Sequence, residues 1–251
     1  MFQTTSNTEL QKTTSYKVVL PFYVYGALSF LLACVLLLIN TSVIHQHYFL
    51  PQTLAITHLM ALGWGTMIIL GASHQLLPVL IEGKLSSDAL AWWSFLFAAL
   101  GIPFLVVGFY LFHTGWLLQA GGILVNAAVL CYLINVFKSI LESKENNVHA
   151  WFIATASLWL FATTFFGLLL VFNFRTSFLP ASSVEYLSIH AHMGVAGWFL
   201  LLVLGVGSRL IPMFLISKYT NNQRLWLIFA LINTALCGCI VLKVLHAESL
   251  L

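Results

Sequence analysis

Residues 57–71 read THLMALGWGTMIILG, and residues 191–205 read AHMGVAGWFLLLVLG. Neither stretch contains Asp, Glu, Lys or Arg. An offset of 134 residues, which aligns His58 with His192 (192 − 58 = 134), places a histidine, two glycines, a tryptophan and a leucine in register. The match continues to Pro78 and Pro212. Apolar matches between membrane helices are common, but these shared residues are not, so the two stretches indicate an internal repeat.

The composition surrounding this repeat excludes a water-soluble domain. The chain is 61% apolar and only 7% charged, with a mean hydropathy of +0.98, whereas a soluble domain carries roughly 25% charged residues. So little charge cannot cover a water-facing surface, and the lipid bilayer is the expected partner. The net charge of +3 comes with no basic run, which argues against nucleic acid as a partner.

Apolar stretches long enough to cross a bilayer, which takes about 20 residues, occur seven times along the chain. We therefore predict an all-α polytopic membrane helix bundle, a single membrane domain over 1–251. Its repeat halves cover approximately 18–138 and 150–247, and the fourth span has no counterpart. The predicted spans are 18–40, 53–81, 88–112, 115–138, 150–173, 186–216 and 225–247.

The distribution of basic residues predicts the orientation. With a cytoplasmic N-terminus, eight Lys and Arg side chains fall inside and two fall outside, which satisfies the positive-inside rule. We expect an integral inner (cytoplasmic) membrane protein with its C-terminus outside. The first span has no clear cleavage site and is interpreted as a retained helix. The inside set is Lys12, Lys17, Lys84, Lys138, Lys144, Arg209, Lys218 and Arg224, and the outside set is Arg175 and Lys243.

His58 and His192 are the leading candidates for cofactor ligands. Ionisable side chains within a bilayer are costly, usually face the bundle interior and usually serve a function. Both histidines lie near the outer ends of their spans, so two facing imidazoles at one depth could hold haem iron from both sides. The neighbouring glycines would let a flat macrocycle approach, and Trp64 and Trp198 either pack on its edge or anchor at the interface. The alternative is a hydrogen bond between helices.

The remaining histidines leave further possibilities open. His190 lies two residues before His192, about 200° around a helix, so it would serve a different centre on the opposite face. His113 and His246, which end the third and seventh spans near the repeat offset, are candidate ligands of a second metal. His45, His47 and His246 could equally well be histidines at an aqueous edge.

His74 and the cysteines carry weaker indications. His74 lies 16 residues (74 − 58) beyond His58, about 24 Å along a helix, so it cannot share a centre with His58. With Gln75 and Arg209 it could form a polar patch that serves proton uptake or quinone contact, although Arg209 could also simply snorkel. The four cysteines have no metal-binding spacing and are expected to be buried thiols.

The motif in the sixth span resembles a known haem-binding helix. His190-Ala-His192-Met-Gly194-Val-Ala-Gly197-Trp198, followed by Gly205 and Leu210-Ile-Pro212, is similar to the tenth helix of haem–copper oxidase subunit I, especially the C-family oxidases and nitric oxide reductases. The resemblance implies that His190 binds a high-spin haem. It also implies that His58 and His192 bind a low-spin haem.

The chain departs from this family in several respects. The family's subunit has about twelve spans, and this sequence has no His-His doublet, no separate helix with a third copper-ligating histidine and no tyrosine obviously placed beside one. A related group of haem and copper membrane proteins, tied to nitric oxide tolerance, is also similar.

Three functional hypotheses follow. The first is a haem b protein for electron transfer or for handling nitric oxide or oxygen, with a cytochrome or quinol as electron donor and other membrane subunits or further copies as partners. The second is an oxidoreductase with a haem–copper or haem–iron centre at His190, completed by His113 or His246. The third is a non-enzymatic haem or copper assembly, carrier or sensor protein. The sequence identifies no catalytic residue.

Overall fold

The computed structural model describes residues 14–143, 147–217 and 221–248, apart from the side chains of residues 44 and 244–248. Within these ranges the chain forms helices and no strand. The helical elements, in chain order, are α1 (Tyr16–Ile39), α2 (Thr41–Ile44), α3 (Pro51–His58), π1 (Leu59–Thr66), α4 (Met67–Leu80), α5 (Asp88–Tyr110), α6 (Trp116–Glu142), α7 (Val148–Thr176), α8 (Ser183–His192), π2 (Met193–Leu200), α9 (Leu201–Phe214) and α10 (Asn222–Glu248).

Seven of the described helical segments are long and apolar enough to cross a membrane, as predicted. The second span is the continuous rod α3–π1–α4, and the sixth is α8–π2–α9. Polar caps fix several starts: Ser87 accepts from the Leu90 amide, and Asn147 accepts from the Ala150 amide. Pro51 occupies the first turn of α3, where its missing N–H costs nothing.

The second and sixth spans have matching backbones at the offset read from the sequence. Both contain an eight-residue π-helix, Leu59–Thr66 and Met193–Leu200, and each begins directly after a histidine. After α4 and α9, Glu82 (φ 52°) and Ile216 (φ 51°) both adopt the left-handed conformation. Each of these pairs is separated by 134 residues. The offset therefore describes local geometry as well as residue identity.

Each of these two rods packs on the span that precedes it through matched glycines. A Cβ at Gly63 would lie 2.9 Å from the Ser29 side chain, and one at Gly197 would lie 2.7 Å from Trp159. These glycines let α1 approach π1 and α7 approach π2 closely, and the same holds one to two turns later at Gly71 and Gly205.

The packing contacts agree with the expected pairing of the first and fifth spans but change its offset. Ser29 corresponds to Trp159 (159 − 29 = 130), and Phe22, beside Gly71, corresponds to Phe152, beside Gly205 (152 − 22 = 130). The offset is 130 rather than 134, a difference of about one helical turn. The packed positions are therefore four residues further apart in the second half (197 − 159 = 38) than in the first (63 − 29 = 34).

The third and seventh spans differ in their surroundings. α5 packs along α6, and a Cβ at Gly101 would lie 2.9 Å from the Gly121 carbonyl oxygen. The repeat equivalent of α5 is α10, whose side chains are largely exposed and which makes few contacts with π2, α7 and α8. α6 lies between α5 and α7 and so joins the two halves.

The expectation of buried thiols is wrong for the seventh span. Cys237 and Cys239 are exposed on α10, and Cys34 and Cys131 are half-buried. Cys237 and Cys239 are exposed because α10 makes few contacts with the rest of the bundle, and all four cysteines are free thiols.

Candidate cofactor cavity

A cavity of about 530 Å³ lies between the two repeat halves. This volume falls in the range of roughly 300–1,000 Å³ that is typical of ligand and cofactor sites. α5, α6 and α7 form its floor, and the second and sixth spans form its sides. Its lining includes Tyr48, Thr53, Thr57, His58, Ala61, Gly65, Phe109, Gly122, Asn126, Leu160, Thr163, Thr164, Gly167, His190, Ala191, Gly194, Val195, Trp198 and Phe199.

His58 enters this cavity from the last turn of α3. Its Nδ1 lies 2.8 Å from the Leu54 carbonyl oxygen, and because a carbonyl only accepts, Nδ1 carries the proton and donates. Nε2 is therefore left with its lone pair, the form in which histidine binds metals. The imidazole also stacks on Phe109, with ring centroids 4.5 Å apart. Backbone and aromatic contacts thus fix both the tautomer and the orientation of this ring.

His190 faces His58 across the halves. The two ring centroids are 6.4 Å apart and the ring planes are inclined by 23°. Gly167 on α7 makes room for the imidazole, because a Cβ there would lie 2.8 Å from His190 Cε1. The Nδ1 atom of His190 is buried and has no hydrogen-bond partner among the described residues. A buried polar atom without a partner is uncommon and suggests a missing ligand or water.

His192 does not line the cavity. Its side chain is exposed, and its Nδ1 donates to the Ser188 carbonyl at 2.6 Å, just as His58 donates to Leu54 (188 − 54 = 134). The local geometry of the two histidines is thus equivalent, but the structure brings His58 together with His190 and not with His192. The reason is the neighbouring helix: α5 covers His58 with Phe109, whereas the equivalent position on α10 is Lys243, which contacts Ser188 instead.

The proposed ligands of a second metal are not gathered at this site. His113 is exposed beside Trp116 at the end of α5, with ring centroids 6.4 Å apart, and does not line the cavity. The side chain of His246 lies outside the described residues. His45 and His47 are exposed in the connection after α1, as expected for histidines at an edge. Among the described residues, no three His, Cys, Asp or Glu side chains are grouped to hold a metal ion.

The expected patch of His74 with Arg209 is not formed. His74 is only 1% exposed and packs against the rings of Phe22 and Tyr132. Arg209 instead forms an ion pair with Glu82. The two residues separate because His74 points into the first half, where α1 and α6 enclose it, whereas Arg209 reaches the end of the second span.

The cavity also contains polar groups that the sequence interpretation missed. Asn126 donates to the Thr164 carbonyl at 2.9 Å and accepts from the Thr164 hydroxyl at 3.3 Å, which joins α6 to α7 in mid-span. Thr53 Oγ1 is buried without a hydrogen-bond partner among the described residues. The sequence does contain a sign of these polar contacts. Asn126, Thr163 and Thr164 are polar residues within otherwise apolar spans, and the two threonines follow the asparagine by 37 and 38 residues.

The two matched tryptophans have different environments. Trp198 is buried, lines the cavity and lies edge-on to Tyr132, with centroids 6.2 Å apart. Trp64 is exposed and packs on Phe30. Trp198 therefore lies at the cavity wall, and Trp64 faces outward.

Compared with known proteins, the chain matches no family model, no curated protein and no solved structure.

Proposed function

We propose that this chain is a membrane haem b protein related to haem–copper oxidase subunit I, and that its haem is held between His58 and His190. The observation that carries the proposal is the separation of the two imidazoles, 6.4 Å between ring centroids, at the wall of a cofactor-sized cavity. In this proposal His58 is a haem ligand, as the sequence predicts. The second ligand is His190 and not His192.

The separation fits two histidines that share one metal ion. With metal–imidazole bonds of about 2.0–2.1 Å, one metal ion would be held between two imidazoles whose ring centres are about 6 Å apart. The two ring centroids are 6.4 Å apart. His58 offers Nε2, and the unpartnered Nδ1 of His190 is consistent with a ring that awaits a ligand.

The cavity walls also suit a haem. Gly65, Gly122, Gly167 and Gly194 line it and leave room for a flat macrocycle. The end nearest His58 carries hydroxyl groups, including Thr53 and Tyr48, which can donate to carboxylates such as those of haem. Leu160, Trp198 and Phe199 provide apolar wall further along the spans, and the amide and hydroxyl groups of Asn126, Thr163 and Thr164 also line the cavity.

The side chains around the cavity would position the haem and shield it from water. When bound, a bis-histidine haem supplies reversible one-electron transfer. His58 and His190 hold it, Leu54 and Phe109 orient the first of these rings, and the apolar spans keep water away. A cytochrome or quinol donor, a cytoplasmic N-terminus in the inner membrane and association with further subunits complete the proposal. A second metal such as copper is not part of it.

Three single variants test the assignment. We expect His58→Ala and His190→Ala, purified in detergent, to lose nearly all haem, and His192→Ala to retain it. The measurements are a pyridine haemochrome assay and a reduced-minus-oxidised spectrum, with carbon monoxide added afterwards. His192→Ala is the matched control because it lies on the same helix and is exposed.

The outcomes separate the alternatives. A sharp b-type spectrum that carbon monoxide leaves unchanged supports two histidine ligands. Loss of haem in His192→Ala with retention in His190→Ala would restore the pair predicted from the family resemblance. A carbon monoxide shift in the unmodified protein would indicate an open iron site and favour a gas-handling enzyme. Absence of haem from the unmodified protein would reject the proposal.

A further inference from the structure

The cavity has a side that protein does not close. It lies between the second and sixth spans, at the level where α3 continues into π1 and α8 into π2, and each span contributes one stripe of residues spaced by four. The stripes are Thr57, Ala61 and Gly65 on one side and Ala191, Val195 and Phe199 on the other. Each member of the first stripe is the repeat equivalent of one in the second, at the offset of 134. We call this feature the lateral opening.

The residues of the lateral opening are accessible although they lie in membrane spans. Val195 is 66% exposed and Phe199 is 50% exposed, and Thr57, Ala61 and Ala191 are exposed as well. All five also line the cavity. Their exposure therefore marks a path from the outside of the bundle to its interior.

Packing explains why the lateral opening exists. π1 packs on α1 through Gly63, and π2 packs on α7 through Gly197, so each π-helix turns its glycine face away from the other. The two π-helices are not packed on each other. A π-helix has a wider turn than an α-helix, so residues four apart stay nearly in line and form a continuous edge. π-helices are rare and concentrate at functional sites.

The depth of the lateral opening places it in hydrocarbon. Ala61 lies ten residues into the second span (61 − 51 = 10), about 15 Å from the end of the helix. The whole span has 30 residues and is about 45 Å long, so a hydrocarbon core about 30 Å thick and centred on it places Ala61 about 8 Å inside the hydrocarbon edge. A molecule that passes between Ala61 and Val195 therefore comes from the lipid and not from water.

We propose that haem enters and leaves its site sideways, from the bilayer, through the lateral opening. This inference rests on the proposed haem site. Haem is a flat, largely apolar molecule that dissolves in membranes, and the edge formed by small residues on π1 leaves a slit on the side from which it would arrive. His58 and His190 then capture the iron, while the hydroxyl groups near Thr53 receive the acidic edge.

The test measures how fast haem loads. The full chain is produced in a host that cannot make haem, reconstituted into phosphatidylcholine vesicles and mixed with vesicles that carry haemin. The rate of appearance of the bis-histidine spectrum is followed by stopped flow. We expect Val195→Trp and Ala61→Trp to load about tenfold more slowly than the unmodified chain, with the same final spectrum, because they narrow the access route.

The matched control is Val203→Trp. Val203 is on the same span, is 49% exposed and does not line the cavity, so this change should leave the loading rate unaltered. Phe199→Ala widens the lateral opening and should accelerate haem loading. If a tryptophan variant fails to fold, the loading rate of Phe199→Ala still tests the lateral route. We also expect the rate to follow the amount of haemin per lipid and not its aqueous concentration.

Equal loading rates in Val195→Trp, Phe199→Ala and Val203→Trp would overturn the lateral route while leaving the haem site intact. An unmodified chain that never develops the bis-histidine spectrum would overturn the proposed function itself. The two failures are therefore distinguishable from the same set of traces.

Discussion

The rods α3–π1–α4 and α8–π2–α9 have the same local structure and different surroundings. Each contains a π-helix after a histidine whose Nδ1 donates to the carbonyl four residues earlier. Yet His58 lies in the cavity and His192 is exposed. The repeated sequence determines the backbone, whereas the role of each histidine depends on the helix that packs beside it.

The helices beside the two rods account for the difference. α5 is held by α6 and presents Phe109 to His58, but its equivalent α10 is mostly exposed. The first half is therefore expected to tolerate less change than the second wherever α5 and α6 enclose it. The following four comparisons between the halves, ordered by the size of the expected effect, test where this difference holds and where it reverses.

The largest difference is expected between Gly101→Val and Ala235→Val, which are equivalent at the offset of 134. A Cβ at Gly101 meets the backbone of α6 at 2.9 Å, and backbone cannot move aside as a side chain can. We expect Gly101→Val to lower the free energy of unfolding by about 3 kcal/mol. Ala235 is exposed, so Ala235→Val should change it by less than about 0.5 kcal/mol. Titration of detergent-solubilised protein with dodecyl sulfate, followed by circular dichroism, measures both. Equal losses would contradict the asymmetry.

A second comparison sets Asn126→Ala against Asn233→Ala. Asn126 is buried and its amide oxygen accepts from Thr164, so its removal leaves that hydroxyl without its cross-helix partner and should cost about 2 kcal/mol. Asn233 accepts from Trp159 Nε1 at 2.8 Å in a half-buried place, where the loss should be about 1 kcal/mol. The same unfolding titration applies, and a larger effect at Asn233 would show that α10 is held more firmly than its exposure indicates.

A third comparison concerns Gly205→Ala and Gly71→Ala. The added Cβ would lie 2.5 Å from Phe152 Cβ in the first case and 3.0 Å from Phe22 Cβ in the second. Alanine favours a helix over glycine by about 1 kcal/mol, which offsets the milder clash at Gly71. We expect a net change near zero at Gly71 and a loss of about 2 kcal/mol at Gly205. This comparison reverses the direction of the first two, so a stable Gly205→Ala variant would indicate that α7 can move away from α9.

The smallest effects are expected at Glu82 and Ile216, the repeat-equivalent pair of left-handed residues. Ile216, a β-branched side chain at φ 51°, is 91% exposed, so Ile216→Gly should relieve strain without loss of packing and raise stability by about 1 kcal/mol. Glu82→Gly relieves similar strain but removes the ion pair with Arg209, so we expect little net change. Thermal unfolding in detergent would resolve the difference. A destabilised Ile216→Gly variant would refute the strain argument.

The sequence predicted what depends on local pattern. Apolar length predicted the seven spans, and identical residues in register identified the second and sixth spans as equivalent, but the π-helices within them were not predicted. The partner of His58 could not be obtained in this way. His190 and His192 point in nearly opposite directions, and which of them faces the cavity depends on the packing of α8 against α7 rather than α10.

The mid-span polar groups illustrate the same limit. Asn126 and Thr164 are far apart in the chain, and only the approach of α6 to α7 makes them partners. For His74 the sequence predicted a polar environment near a membrane surface, whereas the structure encloses this side chain between aromatic rings. Sequence periodicity gives the depth of such residues but not the neighbours on each side.

The ion pair between Glu82 and Arg209 connects the end of the first rod to the second. The repeat equivalent of Glu82 is Ile216, and that of Arg209 is Gln75, so the corresponding contact in the other direction would join an apolar residue to an amide. Two identical halves assembled as a symmetric dimer would have to form any such contact twice. A single chain with two diverged halves can place an ion pair at one of the two symmetry-related positions and leave the other position neutral. The bundle therefore has an asymmetric charge distribution, which a symmetric homodimer of its halves could not have.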